Sequence, residues 1–84
     1  MKYRDRIDIV SQVLEIANGG DVTKSRIMYK AFLSHNQLKQ YLKVLTANDL
    51  LSYDLVSQKF KTTEKGLRYL DAYNQIGDIV KALQ

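Results

Sequence analysis

The spacing of apolar residues changes period twice along this chain, and no other feature confines its architecture as much. Up to Leu45 the apolar positions recur at three and four residues, from Leu51 to Leu55 they alternate, and from Leu67 to Leu83 the longer period returns. A period near 3.6 buries one stripe of a helix and a period of two buries one face of a strand, so helices must flank a strand-bearing insert. The 84 residues leave room for one hydrophobic core. A domain of that size buries only about 60–65% of its unfolded surface, so a partner's surface can add materially to its stability. At 45% hydrophobic and 26% charged, the chain has the composition of a globular domain, not of a disordered tail or a membrane protein.

Ile7, Ile9, Val10, Val13, Leu14, Ile16 and Ala17 form one stripe of a first helix starting near Asp5. Asn18-Gly19-Gly20 stops it, because glycine accepts the left-handed conformation beyond a helix end. Asp21-Val22-Thr23 reads as a short extended piece, with Thr23 the N-cap of a second helix containing Ile27, Met28, Ala31 and Phe32. Ser34 caps a third helix at about 35–47, with Leu38, Tyr41, Leu42 and Leu45 on its inner face. Leu51, Tyr53 and Leu55 then face one way and Ser52 and Asp54 the other. Joined through Val56-Ser57-Gln58 to Lys59-Phe60-Lys61-Thr62, they make an antiparallel hairpin with a basic tip. Thr63 caps a last helix running toward Gln84 through Leu67, Leu70, Ile76, Ile79, Val80 and Leu83.

Charge is distributed unevenly. Lysine and arginine total 13 against 9 acidic residues, a net +4, and no acid occurs between Asp21 and Asp49 while Lys24, Arg26, Lys30, Lys39 and Lys43 do. From Thr63 onward the charges sum to zero, so the positive field lies mid-chain and points to a polyanionic partner. The absence of cysteine excludes disulfides, thiolate metal sites and thiol catalysis. His35 is the single histidine and has no second ligand or orienting acid near it in the pattern, so no enzyme, metal, cofactor or small-molecule substrate is expected. No run approaches the roughly 18 apolar residues of a membrane span. Met1-Lys2-Tyr3-Arg4-Asp5-Arg6 leads into an amphipathic helix, not a secretory segment. A cytoplasmic, nucleoid-associated protein without a membrane partner is the expectation.

Helix, short strand, helix, turn, helix, hairpin, helix is the order of a winged helix-turn-helix, an α+β and mainly α fold. Its third helix characteristically enters the major groove while the hairpin reaches the backbone. At Arg26-Ile27-Met28-Tyr29-Lys30-Ala31, Leu33-Ser34, Gln37-Leu38 and Tyr41-Leu42 the sequence resembles the archaeal winged helix-turn-helix family of small dimeric chromatin and regulatory proteins. Thr63-Glu64-Lys65-Gly66 with Leu70 and Tyr73 looks like that family's entry into its C-terminal helix. The resemblance implies double-stranded DNA binding with little or moderate sequence preference, and dimerisation by antiparallel pairing of the last helices. It divides the chain into a DNA-binding domain at 1–62 and a dimerisation helix at 63–84, one continuous structural unit. One departure stands out: the last helix is short beside the family's coiled-coil arms, and Gly77 costs it about 1 kcal/mol relative to alanine.

With the leucines of the third helix inside, its outward face presents His35, Asn36, Gln37, Lys39, Gln40 and Lys43. Asparagine and glutamine can pair with adenine N6 and N7, and lysine with guanine or phosphate; the plainer reading is a solvated helix face. Lys24, Arg26 and Lys30 on the second helix are candidate phosphate contacts, and Ser34 is one besides its capping role. Tyr29 either meets a phosphate or packs. His35, once charged, would strengthen binding below pH ~6.5. Gln58, Lys59 and Lys61 are the sign and size expected of a wing at about 56–61, although lysines also protect an exposed strand edge. Arg4 and Arg6 either reach phosphate or remain in solvent.

Tyr69, Tyr73, Ile76, Val80 and Leu83 recur in steps of four, three, four and three, a heptad seam, while Leu67 and Leu70 lie to one side and can cover the core. Self-association through the seam is expected, the alternative being a helix folded back over the first one. The leading functional expectation is a homodimeric transcription regulator or chromatin-architectural protein on duplex DNA. The rival is an adaptor that uses the same fold to bind protein and not DNA.

Overall fold

Each helix begins on a short polar side chain that accepts from one of the free N–H groups of its first turn. The computed structural model describes residues 5–83 and contains α1 (Arg6–Ile16), α2 (Lys24–Ala31), α3 (His35–Ala47), β1 (Leu51–Asp54), β2 (Lys59–Thr62) and α4 (Glu64–Ala82). Asp5 and Asp8 form a reciprocal capping box at α1. Thr23 Oγ1 accepts from the Arg26 N–H at 3.2 Å, and Thr63 Oγ1 from the Gly66 N–H at 3.0 Å. Such caps are each worth about 1 kcal/mol, and Thr23, Ser34 and Thr63 are the residues the sequence marks for the role.

β1 and β2 pair antiparallel with Leu51 opposite Thr62 and Tyr53 opposite Phe60. Val22, in the extended piece before α2, bridges the far edge of β2: its N–H donates to the Phe60 carbonyl at 3.2 Å and its carbonyl accepts from the Phe60 N–H at 2.8 Å. The hairpin is thus tied to the α1–α2 connection. Thr62 adds a second tie, since its buried hydroxyl donates to the Leu14 carbonyl at 2.6 Å and its N–H to the Ala17 carbonyl at 3.1 Å. Those are carbonyls at the end of α1, where a helix lacks donors of its own.

The core lies where the four helices meet the inner face of the hairpin: Val13, Leu14, Ile27, Leu38 and Leu45 are fully buried, joined by Leu51, Phe60 and Leu70. The first half of α4 belongs to it. Gly66 is buried against the Leu50 carbonyl and the Thr62 methyl.

Four expectations are corrected. Phe32 is not a member of α2; it is the C-cap, left-handed at φ +55° and exposed, and the bonds from the Phe32 and Leu33 N–H groups back to Tyr29 and Met28 close the helix so that Leu33 turns into the core. Leu55 is not in the strand, because β1 ends at Asp54 and the chain turns over 55–58. The hairpin tip is consequently aliphatic, not basic, with the lysines on β2 behind it. Leu67 is 40% exposed, because the buried edge of α4 runs through Gly66 and Leu70, one helical step away. Arg4, Gln84 and the other residues outside 5–83 lie outside the described residues, as do the readings that rest on them.

Candidate nucleic-acid interface

The outward side of α3 is shaped by what its inner side must do. Leu38, Leu42 and Leu45 are buried, and a helix that commits those positions to the core turns His35, Asn36, Lys39, Gln40 and Lys43 to the opposite side. All five are exposed, as is Gln37, and neither α2 nor α3 contains an acidic residue. Gln37 is partly committed: its carbonyl oxygen accepts from the Ser34 N–H at 3.0 Å while the Ser34 hydroxyl accepts from the Gln37 N–H at 3.2 Å. This capping box anchors the start of α3 and occupies one acceptor position of the Gln37 carbonyl oxygen, leaving its amide nitrogen to donate to an outside partner. Asn36 and Gln40 keep both ends for paired hydrogen bonds.

On α2, Lys24, Arg26, Tyr29 and Lys30 are all exposed. Tyr29, at 81% exposure, is not a packing residue. A cleft of about 520 Å³ separates the start of α2 from the hairpin and is lined by Thr23, Lys24 and Ser25 on one side and Tyr53, Ser57, Gln58 and Phe60 on the other. Lys24 and Gln58 are therefore neighbours across one opening. Lys59 and Lys61 are not part of it. Alternation along β2 places them on the face away from Phe60, where Lys61 lays its methylenes over Gly20 and Lys59 stands opposite Asp54. A second groove, of about 390 Å³, brings Arg6 and Val10 of α1 beside Gln40, Tyr41 and Val44 of α3. Arg6 thus stands at the flank of α3, a placement for which residue spacing offers no signal.

The proposed seam on α4 divides in two. Tyr69 packs against the core, and the Tyr73 hydroxyl donates to Asp8 Oδ1 on α1. That bond, followed by burial and the Asp8 charge, pushes the Tyr73 hydroxyl up to about 12. Beyond them Ile76, Ile79, Val80 and Leu83 are all exposed. Because the Tyr73 value is raised in the folded state, its contribution is complete below the ordinary tyrosine value near 10 and is lost as pH rises toward 12. Tyr73→Phe is expected to lower stability by about 1 kcal/mol at neutral pH. In urea melts at pH 7 and pH 11.5 the difference between the two proteins should shrink at the higher pH; a constant difference would mean that the hydroxyl bond contributes nothing.

Among the described residues, no group of three or more His, Cys, Asp or Glu could hold a metal ion, and no helix is long and apolar enough to cross a membrane.

Three helices around a short bridge, a two-stranded wing and a further helix are the parts of a winged helix-turn-helix, and the family model of that description matches residues 3–81. The chain belongs to the winged helix-turn-helix family. It is 25% identical over 79 residues to an uncharacterized protein of Methanocaldococcus jannaschii, covering 94% of this chain and 79% of that protein. Among solved structures it is similar in fold to Sso10a-2, a DNA-binding protein from Sulfolobus solfataricus, with a TM-score of 0.79 at 20% identity over 95% of this chain and 85% of that one.

Proposed function

We propose that this protein binds double-stranded DNA as a homodimer, serving as a transcription regulator or chromatin-architectural protein of the cytoplasm and nucleoid. The observation that carries the reading is the acid-free, exposed face of α3, where Lys39 and Lys43 stand in one row with His35, beside Asn36 and Gln40. In the major groove, Asn36 and Gln40 would meet base edges while the lysines meet guanine or phosphate. Lys24, Arg26 and Lys30 on α2, and Lys59 and Lys61 on the wing, would neutralise flanking phosphates. The name of the structural relative Sso10a-2 supports the same partner. The role requires no chemistry, so catalysis, cofactor and metal have no part in it. Retention on heparin together with a shifted duplex at moderate salt is the expected result; a chain that does neither is a protein-binding adaptor.

Dimerisation rests on the far half of α4, within a division into a DNA-binding unit at 1–62 and an arm at 63–84. Tyr69 packs on the core and Tyr73 bonds to α1, whereas Ile76, Val80 and Leu83 keep the seam spacing and stand exposed for a second copy. Two such arms packed antiparallel would take these side chains out of water, each worth about 1.5–3 kcal/mol when fully buried. Sedimentation equilibrium should give twice the 9.7 kDa chain mass. Ile76→Ala, present twice in a symmetric interface, is expected to weaken the dimer about a hundredfold; a single-chain mass for the unmodified protein would remove the arm from the proposal.

A further inference from the structure

Only at Asn18-Gly19 does an asparagine of this chain precede a glycine. The pair follows the α1 C-cap, Ala17, and lies exposed in the turn that leads to the bridge residue Val22. On either side the backbone is engaged: the Asn18 N–H donates to the Glu15 carbonyl at 3.2 Å and the Gly20 N–H to the Ala17 carbonyl at 3.1 Å. Between them, the Gly19 N–H has no hydrogen-bond partner among the described residues, and neither has the Asn18 carboxamide. Gly19 stands at φ +94°, and no atom lies within 4 Å of where a Cβ would be. The other three asparagines are held. The N–H that follows Asn36 donates to the Ser34 hydroxyl at 3.2 Å. Asn48 Nδ2 donates to the Val44 carbonyl at 2.7 Å, and the Asp49 N–H after it to the Thr46 carbonyl at 3.1 Å. Asn74 lies within α4, where helical geometry commits the next N–H to the backbone ladder.

We infer that Asn18 is a self-modifying site, at which the folded protein deamidates spontaneously and forms isoaspartate. The inference is independent of the DNA-binding reading. The Gly19 backbone nitrogen gives its proton to water and attacks Asn18 Cγ. An N–Cγ bond forms, the Cγ–Nδ2 bond breaks, and the leaving amide nitrogen takes a proton from solvent to depart as ammonia, which closes a succinimide ring. Water then opens the ring. Addition at Cγ gives aspartate, and addition at the Asn18 backbone carbonyl carbon gives isoaspartate, whose chain continues through Cβ and Cγ. One water is consumed and one ammonia released, with no oxidant, reductant or enzyme required. Glycine allows the attack because no side chain shields its nitrogen and its backbone turns freely; a helix or a hydrogen-bonded turn holds the nitrogen away. The new carboxylate lowers the net charge of +4 by one. It arises two residues before Gly20, over which Lys61 lies. Isoaspartate also adds a backbone carbon to a link fixed at both ends, at Ala17 by the Thr62 N–H and at Val22 by Phe60.

The test incubates the full chain in mildly alkaline buffer at physiological temperature, natively and in urea, and follows all four asparagines by peptide mass spectrometry. Isoaspartate is read with an isoaspartate-specific methyltransferase. In the native protein Asn18 should lose its amide and give a mixture of aspartate and isoaspartate, while Asn36, Asn48 and Asn74 keep theirs. The loss at Asn18 should proceed at a comparable rate in urea, because the turn shields neither the attacking nitrogen nor the carbon it attacks. Asn18→Gln, whose longer side chain closes the corresponding ring far less readily, should carry no isoaspartate. Persistence of Asn18 in the native protein, whether or not it is lost in urea, would overturn the inference. So would loss of the amide without isoaspartate, or an isoaspartate signal that survives Asn18→Gln.

Discussion

Replacing Gly66 with alanine is expected to lower the unfolding free energy by about 2 kcal/mol, the larger overpacking cost being only partly offset by alanine's better helix propensity. A Cβ at this position would overlap the Leu50 carbonyl oxygen and stand 2.7 Å from Thr62 Cγ2. The first obstacle is backbone, so no rotamer change relieves it. The same carbonyl also accepts from the Thr63 N–H at 3.1 Å, and pushing it aside would loosen the entry into α4. For a domain of this size the melting temperature should fall by roughly 10 °C. Gly77 on the same helix provides the control. Nothing lies within 4 Å of a Cβ there, so Gly77→Ala should raise stability by up to about 1 kcal/mol. Urea or thermal melts of the two variants should therefore move in opposite directions. A tolerated Gly66→Ala would show that α4 does not pack this closely on the hairpin.

The helices were legible because their signals are local. Thr23, Ser34 and Thr63 each cap the helix that the following periodicity announces, and the α3 face follows from placing Leu38, Leu42 and Leu45 inside. The misreadings occur where a local preference was outvoted. Phe32 continues the apolar spacing of α2, yet the chain must turn there for Leu33 to be buried, and a bulky residue takes a conformation that usually belongs to glycine or asparagine. Leu55 extends the alternation of β1, but the Asp54 side chain bonds the backbone two residues on and starts the turn one position early. The close approach at Gly66 and the bond from Tyr73 to Asp8, 65 residues apart, belong to tertiary packing, for which a periodicity has no signal. In the candidate site, residue types and their exposed faces could be read in advance, whereas their grouping could not. That Lys24 shares a cleft with Gln58, that Lys59 and Lys61 occupy the other face of the hairpin, and that Arg6 flanks Gln40 depend on how the elements dock.

The largest effect expected of this protein is the response of duplex affinity to salt. Each phosphate neutralised releases condensed counterions, and the logarithm of the association constant falls by about 0.9 per contact for each tenfold rise in salt. Three to five contacts per protomer, from the lysines and arginines of α2, α3 and the wing, make about six to ten for a dimer. Affinity should then drop by roughly 10³–10⁵ between 50 and 200 mM salt. Lys39 and Lys43 are exposed on the side of α3 opposite its buried leucines. Converting both to alanine removes up to four contacts from the dimer without touching the core.

The most direct measurement is a fluorescence-anisotropy titration of a labelled duplex, repeated from 50 to 200 mM salt, for the unmodified protein and for the K39A/K43A variant. The expected result is weaker binding by the variant at every salt concentration, with a log–log slope shallower by about three to four units. Superimposable titrations with equal slopes would contradict the assignment of α3 as the DNA-reading element.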